Sequence, residues 1–452
     1  MDGYYTWMLV SASLVLLMTP GLALFYGGMS RSKSVLNMMM MSFTAMGVVG
    51  IVYALWGWSM SYSTTFLTAD GEAGKEIGKL FSNPFTQFGL ETTDPANYVF
   101  VAFQLTFAVI TAALISGAVA DRLKFSAWLV FLPVWVTLSY FPLAHMVWGG
   151  GFLSGVQDGL SSLLLGNVTI DGVTMAEVAP IDYAGGTVVH INAGVAGLVL
   201  ALLLGKRLGF GKEPMKPHNL TLTMIGAGLL WFGWFGFNVG SIVNLDAYRT
   251  ETGLVWLNTT LATCAAMMGW LLVEKLRDGK GTSLGAASGV VAGLVAITPA
   301  CGNLVPWSAM LLGLVAGVLC ALAVGLKYRF GYDDSLDVVG VHLVGGLVGT
   351  IGVGFLASND LGLLTGGDGK QLLVQIAVAV FAMLWAAIAT LVVGFAIKLT
   401  MGLRLDPEDE VEGIDFVEHG ESAYDLSTGG GARRTSVHTS TATSSSPEGA
   451  RV

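Results

Sequence analysis

The sequence predicts an all-α polytopic membrane protein with eleven transmembrane helices, arranged as an inverted five-plus-five repeat plus a peripheral eleventh helix. Three observations carry this. Of 452 residues, 54% are hydrophobic and 12% charged, with a mean hydropathy of +0.69, whereas soluble globular chains carry about 25% charged residues. The apolar residues fall in runs of about 20, long enough to cross ~30 Å of hydrocarbon as helices. Two of these runs, five spans apart, repeat one polar pattern. An all-α soluble bundle does not account for so many apolar runs. The 61 glycines suit close helix packing in a membrane.

The runs cover approximately 5–27, 37–60, 98–120, 125–147, 183–204, 219–243, 253–273, 282–301, 306–327, 338–357 and 371–400. The sequence opens MDGYYTWMLV, with Asp2 and no basic segment, and the first run is read as a span, not a cleaved signal peptide. Two polar loops, 61–97 and 149–182, separate spans two from three and four from five. Residues 1–401 thus form the membrane domain. Residues 402–426 form a charged cytoplasmic C-terminal segment with scattered apolar positions, expected to dock and to regulate. Residues 427–452 are Ser/Thr/Gly-rich and expected to be disordered. The RRTS at 433–436 fits phosphorylation, but a solvated tail without that role is the simpler reading.

Basic residues set the orientation. One set of span ends and loops holds Arg31, Lys33, Arg122, Lys124, Lys206, Arg207, Lys212, Lys216, Lys275, Arg277, Lys280, Lys327, Arg329, Lys398 and Arg404. The alternate set holds Lys75, Lys79, Arg249 and Lys370. The first set is cytoplasmic, which places the N-terminus outside and the C-terminus inside a cell (plasma) membrane. Cys264, Cys301 and Cys320 lie in or beside apolar segments without paired spacing, so neither a disulfide framework nor a zinc site is expected.

Span five begins DYAGGTVVHINAGVAG (182–197) and span ten begins DSLDVVGVHLVGGLVG (334–349). In each, an aspartate precedes a histidine by eight residues: Asp182 and His190, Asp334 and His342. Glycines follow each histidine at plus four and plus seven: Gly194 and Gly197, Gly346 and Gly349. A repeat of five spans must invert in the membrane. At 1.5 Å per residue, eight residues carry His190 about 12 Å inward, and His342 lies somewhat less or equally deep from the other side. Both rings then reach the bilayer midplane, where they can meet. A lone membrane histidine most simply holds a bundle together. Two at matching depth mark a pathway. Two imidazoles are too few ligands for stable zinc, and no metal or other cofactor is expected. His145, His218 and His419 are read as structural, the last two bonded to local backbone; His438 lies in the tail.

The chain resembles the ammonium transporter family, related to the Mep and Rhesus proteins, over roughly residues 4–426. The resemblance rests on FYGGMSRSKSVLN (25–37), LSYFPLAHMVWGGG (138–151), DYAGGTVVHINAG (182–194), GKEPMKPHNL (211–220), WFGWFGFNVGS (231–241) and DDSLDVVGVHLVGG (333–346). It implies a homotrimer with one pore per subunit. Carried over by position, Trp148, Ser241, Phe107 and Phe103 resemble an external recruitment site. Phe107 and Phe237 resemble a phenylalanine gate, His190 and His342 the pore histidines, and Asp182 a buried supporting aspartate. Without the resemblance, ordinary packing would be the simpler reading of Phe107 and Phe237.

The implied chemistry is coherent. Stripping water from ammonium is costly. Aromatic faces offset part of that, each by about 0.5–2 kcal/mol, and a hydroxyl accepts one hydrogen bond. Potassium matches ammonium in charge and size but has no proton to lose. A pore that passes only NH3 therefore rejects it, and neutral imidazoles, each with one donor and one acceptor nitrogen, suit that pore. The proton either follows separately along the histidines or does not cross; the sequence leaves both open. Two alternatives stand beside ammonium transport. One is a neutral-gas or urea channel. The other is an ammonium sensor that signals through a PII-type partner at the cytoplasmic face. No nucleophile–base pair, phosphate loop or metal cluster supports an enzyme, and nothing points to nucleic acid.

Overall fold

Leucine, valine and alanine fill uninterrupted stretches of this chain, and in lipid such stretches must satisfy their backbone internally, as helices. The computed structural model describes residues 2–63, 76–213, 215–242, 246 and 248–424. In order, its long helices are α1 (Gly3–Met29), α2 (Val35–Tyr62), α3 (Pro95–Val119), α4 (Phe125–Val147), α5 (Gly186–Leu204), α6 (Leu220–Val239) and α7 (Tyr248–Asp278). After the short α8 (Ser283–Ile297) come α9 (Pro306–Phe330), α10 (Val339–Leu356) and α11 (Lys370–Thr400). Ten of these, among the described residues, are long and apolar enough to cross a membrane. The expected eighth span, 282–301, is the exception. Its helix ends at Ile297, two residues before Pro299, which has no backbone N–H to continue the helical hydrogen bonds. Fifteen residues rise only about 22 Å. The segment after it turns back through the protein interior, and Ala300, Cys301 and Leu304 are fully buried.

Small residues decide which helices touch. The most extensive packing joins α1 to α6 and α7 to α9. On α6, a Cβ at Gly226 would collide with the Phe25 backbone, and one at Gly236 would lie 2.7 Å from the Ser11 carbonyl oxygen. These are the first helices of the two five-helix sets. The fifth helices, α5 and α10, also pack together. The first and the fifth helices of the two sets thus meet their counterparts. α11 lies along α5 and α10 with most of its surface outward.

The loop 149–182 carries a short helix (Leu160–Leu165) and a hairpin, β1 (Asn167–Ile170) against β2 (Val173–Ala176). Asp171 and Gly172 form its two-residue turn, both with positive φ, as this turn type requires.

Residues 402–424 dock on the expected cytoplasmic side through two short helices, α12 (Pro407–Glu412) and α13 (Ile414–His419). Leu403 and Leu405 exchange backbone hydrogen bonds with Lys124 and Arg122. The Asp415 carboxylate accepts from the N–H groups of Leu36 (3.0 Å) and Asn37 (2.8 Å) at the start of α2. Contrary to the expectation from sequence, the contact of His419 is not to local backbone. Its Nε2 contacts Asn37 Oδ1 at 3.1 Å, because the tail folds back onto α2. The contacts of His218 are not local either: it bonds the Ser30 carbonyl just past α1, and the folded-back tail brings it the Tyr424 hydroxyl. The disorder expected for 427–452, the RRTS and His438 lie outside the described residues.

Candidate functional site

Asp182 stands one turn before α5. Its Oδ1 accepts from Gly185 and Gly186, and its Oδ2 from Thr187 and Val188. Four N–H groups are left without partners at every helix start, and here one carboxylate takes four. Asp334 does the same before α10, accepting from Val338 (3.0 Å) and Val339 (2.8 Å). The helical turns that follow are wide, with i→i+5 hydrogen bonding, at Gly186–Ile191 and Val339–Leu343. Such turns cluster at functional sites, and each of these two holds a histidine.

The two rings meet. His190 Nδ1 and His342 Nδ1 are 3.3 Å apart, and the rings are nearly parallel at 22° with centroids 5.4 Å apart. Both side chains are buried. The glycines at plus four make the approach possible: a Cβ on Gly194 would lie 2.5 Å from the Leu343 nitrogen, and one on Gly346 3.1 Å from His190 Cβ. The glycines at plus seven serve other contacts. Gly197 faces Ala118 and Val338, and Gly349 faces Ala296 and Pro299. Trp234 stacks on His190 at 17°, and its indole N–H donates to Thr298 (2.8 Å). A narrow cavity of about 10 Å³ runs beside the pair, lined by apolar side chains including Leu114, Val189, Leu230 and Phe237.

Beyond the pair, toward the expected outer face, Phe107 and Phe237 stack at 3.9 Å and 13°. Both are buried, so the passage is closed at this point. Past them opens a cup of about 370 Å³. Phe107 forms part of its lining, with Trp148, Ser241 and Asp182. Trp148 meets the Phe107 ring edge-on at 6.1 Å and is oriented by its indole N–H donating to the Asp182 carbonyl (2.9 Å). Ser241 lies just past the end of α6, and its hydroxyl donates to the Phe237 carbonyl (2.8 Å). Its lone pairs remain available as acceptors.

Of the residues carried over by resemblance, Phe103 stands apart. It is fully buried, packs on Phe107 at 4.7 Å and beside Gly240, and does not line the cup. Phe100, one turn nearer the mouth, and Gln104, the residue after Phe103, do line it, with Tyr62, Tyr183 and Glu251. Sequence reasoning missed these five. Phe100 shares a helical face with Phe103 and Gln104 at spacings of three and four, a signal for the face but not for which member reaches the cavity. His145 is structural in geometry: it is buried, with Nε2 2.8 Å from the Gly78 carbonyl. Among the described residues no cluster of three His, Cys, Asp or Glu side chains forms a metal site.

A helical membrane bundle with an apolar passage at its centre, closed by two stacked rings and opening to an aromatic cup, is by class a transport protein for a small solute. The comparisons are specific. The profile of the Ammonium Transporter Family matches residues 6–424. An ammonium transporter of Mycobacterium bovis is 49% identical over 464 aligned positions, covering 95% of this chain and 92% of that one. Candida albicans Mep2 superposes with a TM-score of 0.77 at 30% identity, over 90% of this chain and 87% of that one. A protein described as a sensor Amt protein superposes at 0.79 and 26% identity, over 92% and 98%. The chain belongs to the ammonium transporter family.

Proposed function

We propose that the chain takes ammonium from the outer cup, that beneath the Phe107–Phe237 stack the ion gives up its proton, either to the histidines for relay inward or back to the outer water, and that NH3 passes His190 and His342. The observation that carries this is the histidine contact inside a nearly dry, apolar passage. At 3.3 Å, one Nδ1 donates and the other accepts. The ring donating from Nδ1 then has a bare Nε2, and its partner carries its proton on Nε2. The pair as a whole keeps one donor and one acceptor, which matches NH3 and leaves a bare cation uncompensated. The cup supplies the opposite environment. Trp148 and Phe107 offer aromatic faces and Ser241 an acceptor, so ammonium binds there before it loses its proton.

The chain is oriented with its N-terminus outside and C-terminus inside the cell membrane. It assembles as a homotrimer with a pore in each subunit. Residues 402–426 act as a regulatory segment on the membrane domain (1–401), and a PII-type protein is the partner suited to that face. The docking of residues 402–424 onto α2 and the loop after α3 supports this. It also supports a second reading, a sensor that signals through the tail, for which the neighbour described as a sensor is the precedent.

The test is ammonium-limited growth rescue and uptake into proteoliposomes, with His190→Ala and Phe107→Ala beside wild type. Wild type is expected to rescue and to take up ammonium without potassium leak, and His190→Ala to lose rescue. A wild type that signals but shows no flux sinks the transport reading in favour of the sensor. An ammonium pulse that moves charge shows that the proton follows; uptake without charge movement shows that it does not.

A further inference from the structure

We infer that Glu251 is a cation-gathering residue of the outer cup, setting the apparent affinity for the monovalent cation that the site takes. This rests on the proposed ammonium transport and deepens it. The aromatic faces of the cup carry only partial charge. Among the described residues its lining holds two carboxylates, Asp182 and Glu251. They are not equivalent. Asp182 accepts four backbone N–H bonds at the start of α5, which fills the roughly four acceptor positions of a carboxylate. It is a helix cap with no capacity left.

Glu251, near the start of α7, accepts one hydrogen bond on Oε2 from the Tyr183 hydroxyl at 2.9 Å. Tyr183 is held in turn: its backbone N–H donates to the Pro299 carbonyl, and its ring packs over Gly302. The tyrosine therefore positions the carboxylate at the cup without neutralising it. None of the ion pairs among the described residues involves Glu251. It is partly exposed, so its charge is screened by salt, with a Debye length of about 8–10 Å near physiological ionic strength. Two effects follow. The charge raises the local cation concentration at the cup, and its effect declines as salt is added. It lies outside the Phe107–Phe237 closure, so it acts on loading and not on passage.

The experiment is concentration-dependent ammonium uptake by full-length protein in proteoliposomes, at low and high ionic strength set with N-methylglucamine chloride. Wild type is expected to show a half-saturation concentration that rises with ionic strength. Glu251→Gln is expected to raise it by about three- to tenfold at low salt, to lose most of the salt dependence, and to keep the maximal rate. Glu251→Asp restores the salt dependence. Tyr183→Phe, which keeps the charge but frees its carbon chain, gives a smaller rise with the salt dependence intact. Equal half-saturation and equal salt dependence in wild type and a folded Glu251→Gln overturn the inference while leaving transport standing. If Glu251→Gln does not fold, a salt-insensitive wild type overturns it, and a salt-dependent wild type with the expected Tyr183→Phe and Glu251→Asp behaviour supports it. A wild type that takes up no ammonium overturns the transport reading itself, and this inference with it.

Discussion

Ser241 faces in two chemical directions. Its proton is spent on the Phe237 carbonyl, so toward the cup it is an acceptor, the polarity an ammonium ion needs. A net hydrogen bond is worth about 0.5–1.5 kcal/mol. Ser241→Ala is therefore expected to raise half-saturation about two- to tenfold with the maximal rate unchanged; a matched fall in maximal rate would place the residue in passage instead. Gly194 predicts the reverse split. A methyl group there would sit 2.5 Å from the Leu343 nitrogen, next to His342, and overpacking of this kind costs about 1–3 kcal/mol. Gly194→Ala should separate the imidazoles and cut the maximal rate at least tenfold while half-saturation stays put. Uptake kinetics of both variants decide this, and normal flux through Gly194→Ala would show that the ring contact is dispensable. The histidines were legible in the sequence because the repeat printed each twice, with aspartate and glycines at equal offsets. Tyr62, Phe100, Gln104, Tyr183 and Glu251 have no such second copy, and an aromatic in a span packs by default.

At the scale of elements, apolar run length placed nearly every helix, since a chain in lipid has little choice but to close its own hydrogen bonds. It failed where a run is apolar but not helical throughout. Residues 298–301 are buried and so read as span, yet Pro299 ends α8 before them. The hairpin in loop 149–182 had a readable signal, Asp171–Gly172 between alternating residues. It was hidden by the general polarity of the loop. The docking of the tail was expected from its mixed composition, but its anchor was not. Ser34 makes no capping hydrogen bond at the start of α2, and Asp415, far away in sequence, caps that helix instead. Losing a cap costs about 0.5–2 kcal/mol. For a short tail segment this is a large fraction of its attachment. Asp415→Ala is expected to speed proteolytic removal of the tail about two- to thirtyfold, with the membrane domain left intact. Unchanged cleavage would mean that the Asp415 cap is dispensable and that the other contacts of α13 hold it.

At the scale of the whole molecule, the end expected to face the cytoplasm carries a buried charge cluster that no sequence period announces. Arg122, just past α3, is fully buried. It donates to the carbonyls of Ala118, Ala120, Gly205 and Asp333 and to the Ser335 hydroxyl. Arg207, just past α5, pairs with the Asp333 carboxylate at 2.8 Å and donates its backbone N–H to the same group at 2.7 Å. Arg122 lies 3.7 Å from that carboxylate. Asp333 comes from the segment before α10. One carboxylate therefore ties the inner end of the first five-helix set to the start of the last helix of the second, the helix that carries His342. These arginines were read from the sequence as orientation markers, which they can be while also being structural. Their partner could not be read, because the acidic residue is 126 positions from Arg207 and 211 from Arg122. Removing one member of a buried pair strands the others, at a cost of about 3–5 kcal/mol. Asp333→Asn keeps the volume and strands two guanidinium groups. It should lower the thermal unfolding midpoint of the detergent-purified protein clearly. Arg207→Gln should lower it less, because Arg122 still neutralises the carboxylate. Combining the two should be less than additive, since they share one interaction. Strict additivity in the double variant would show that Asp333 and Arg207 stabilise the fold independently, and that their ion pair is not what couples the two halves.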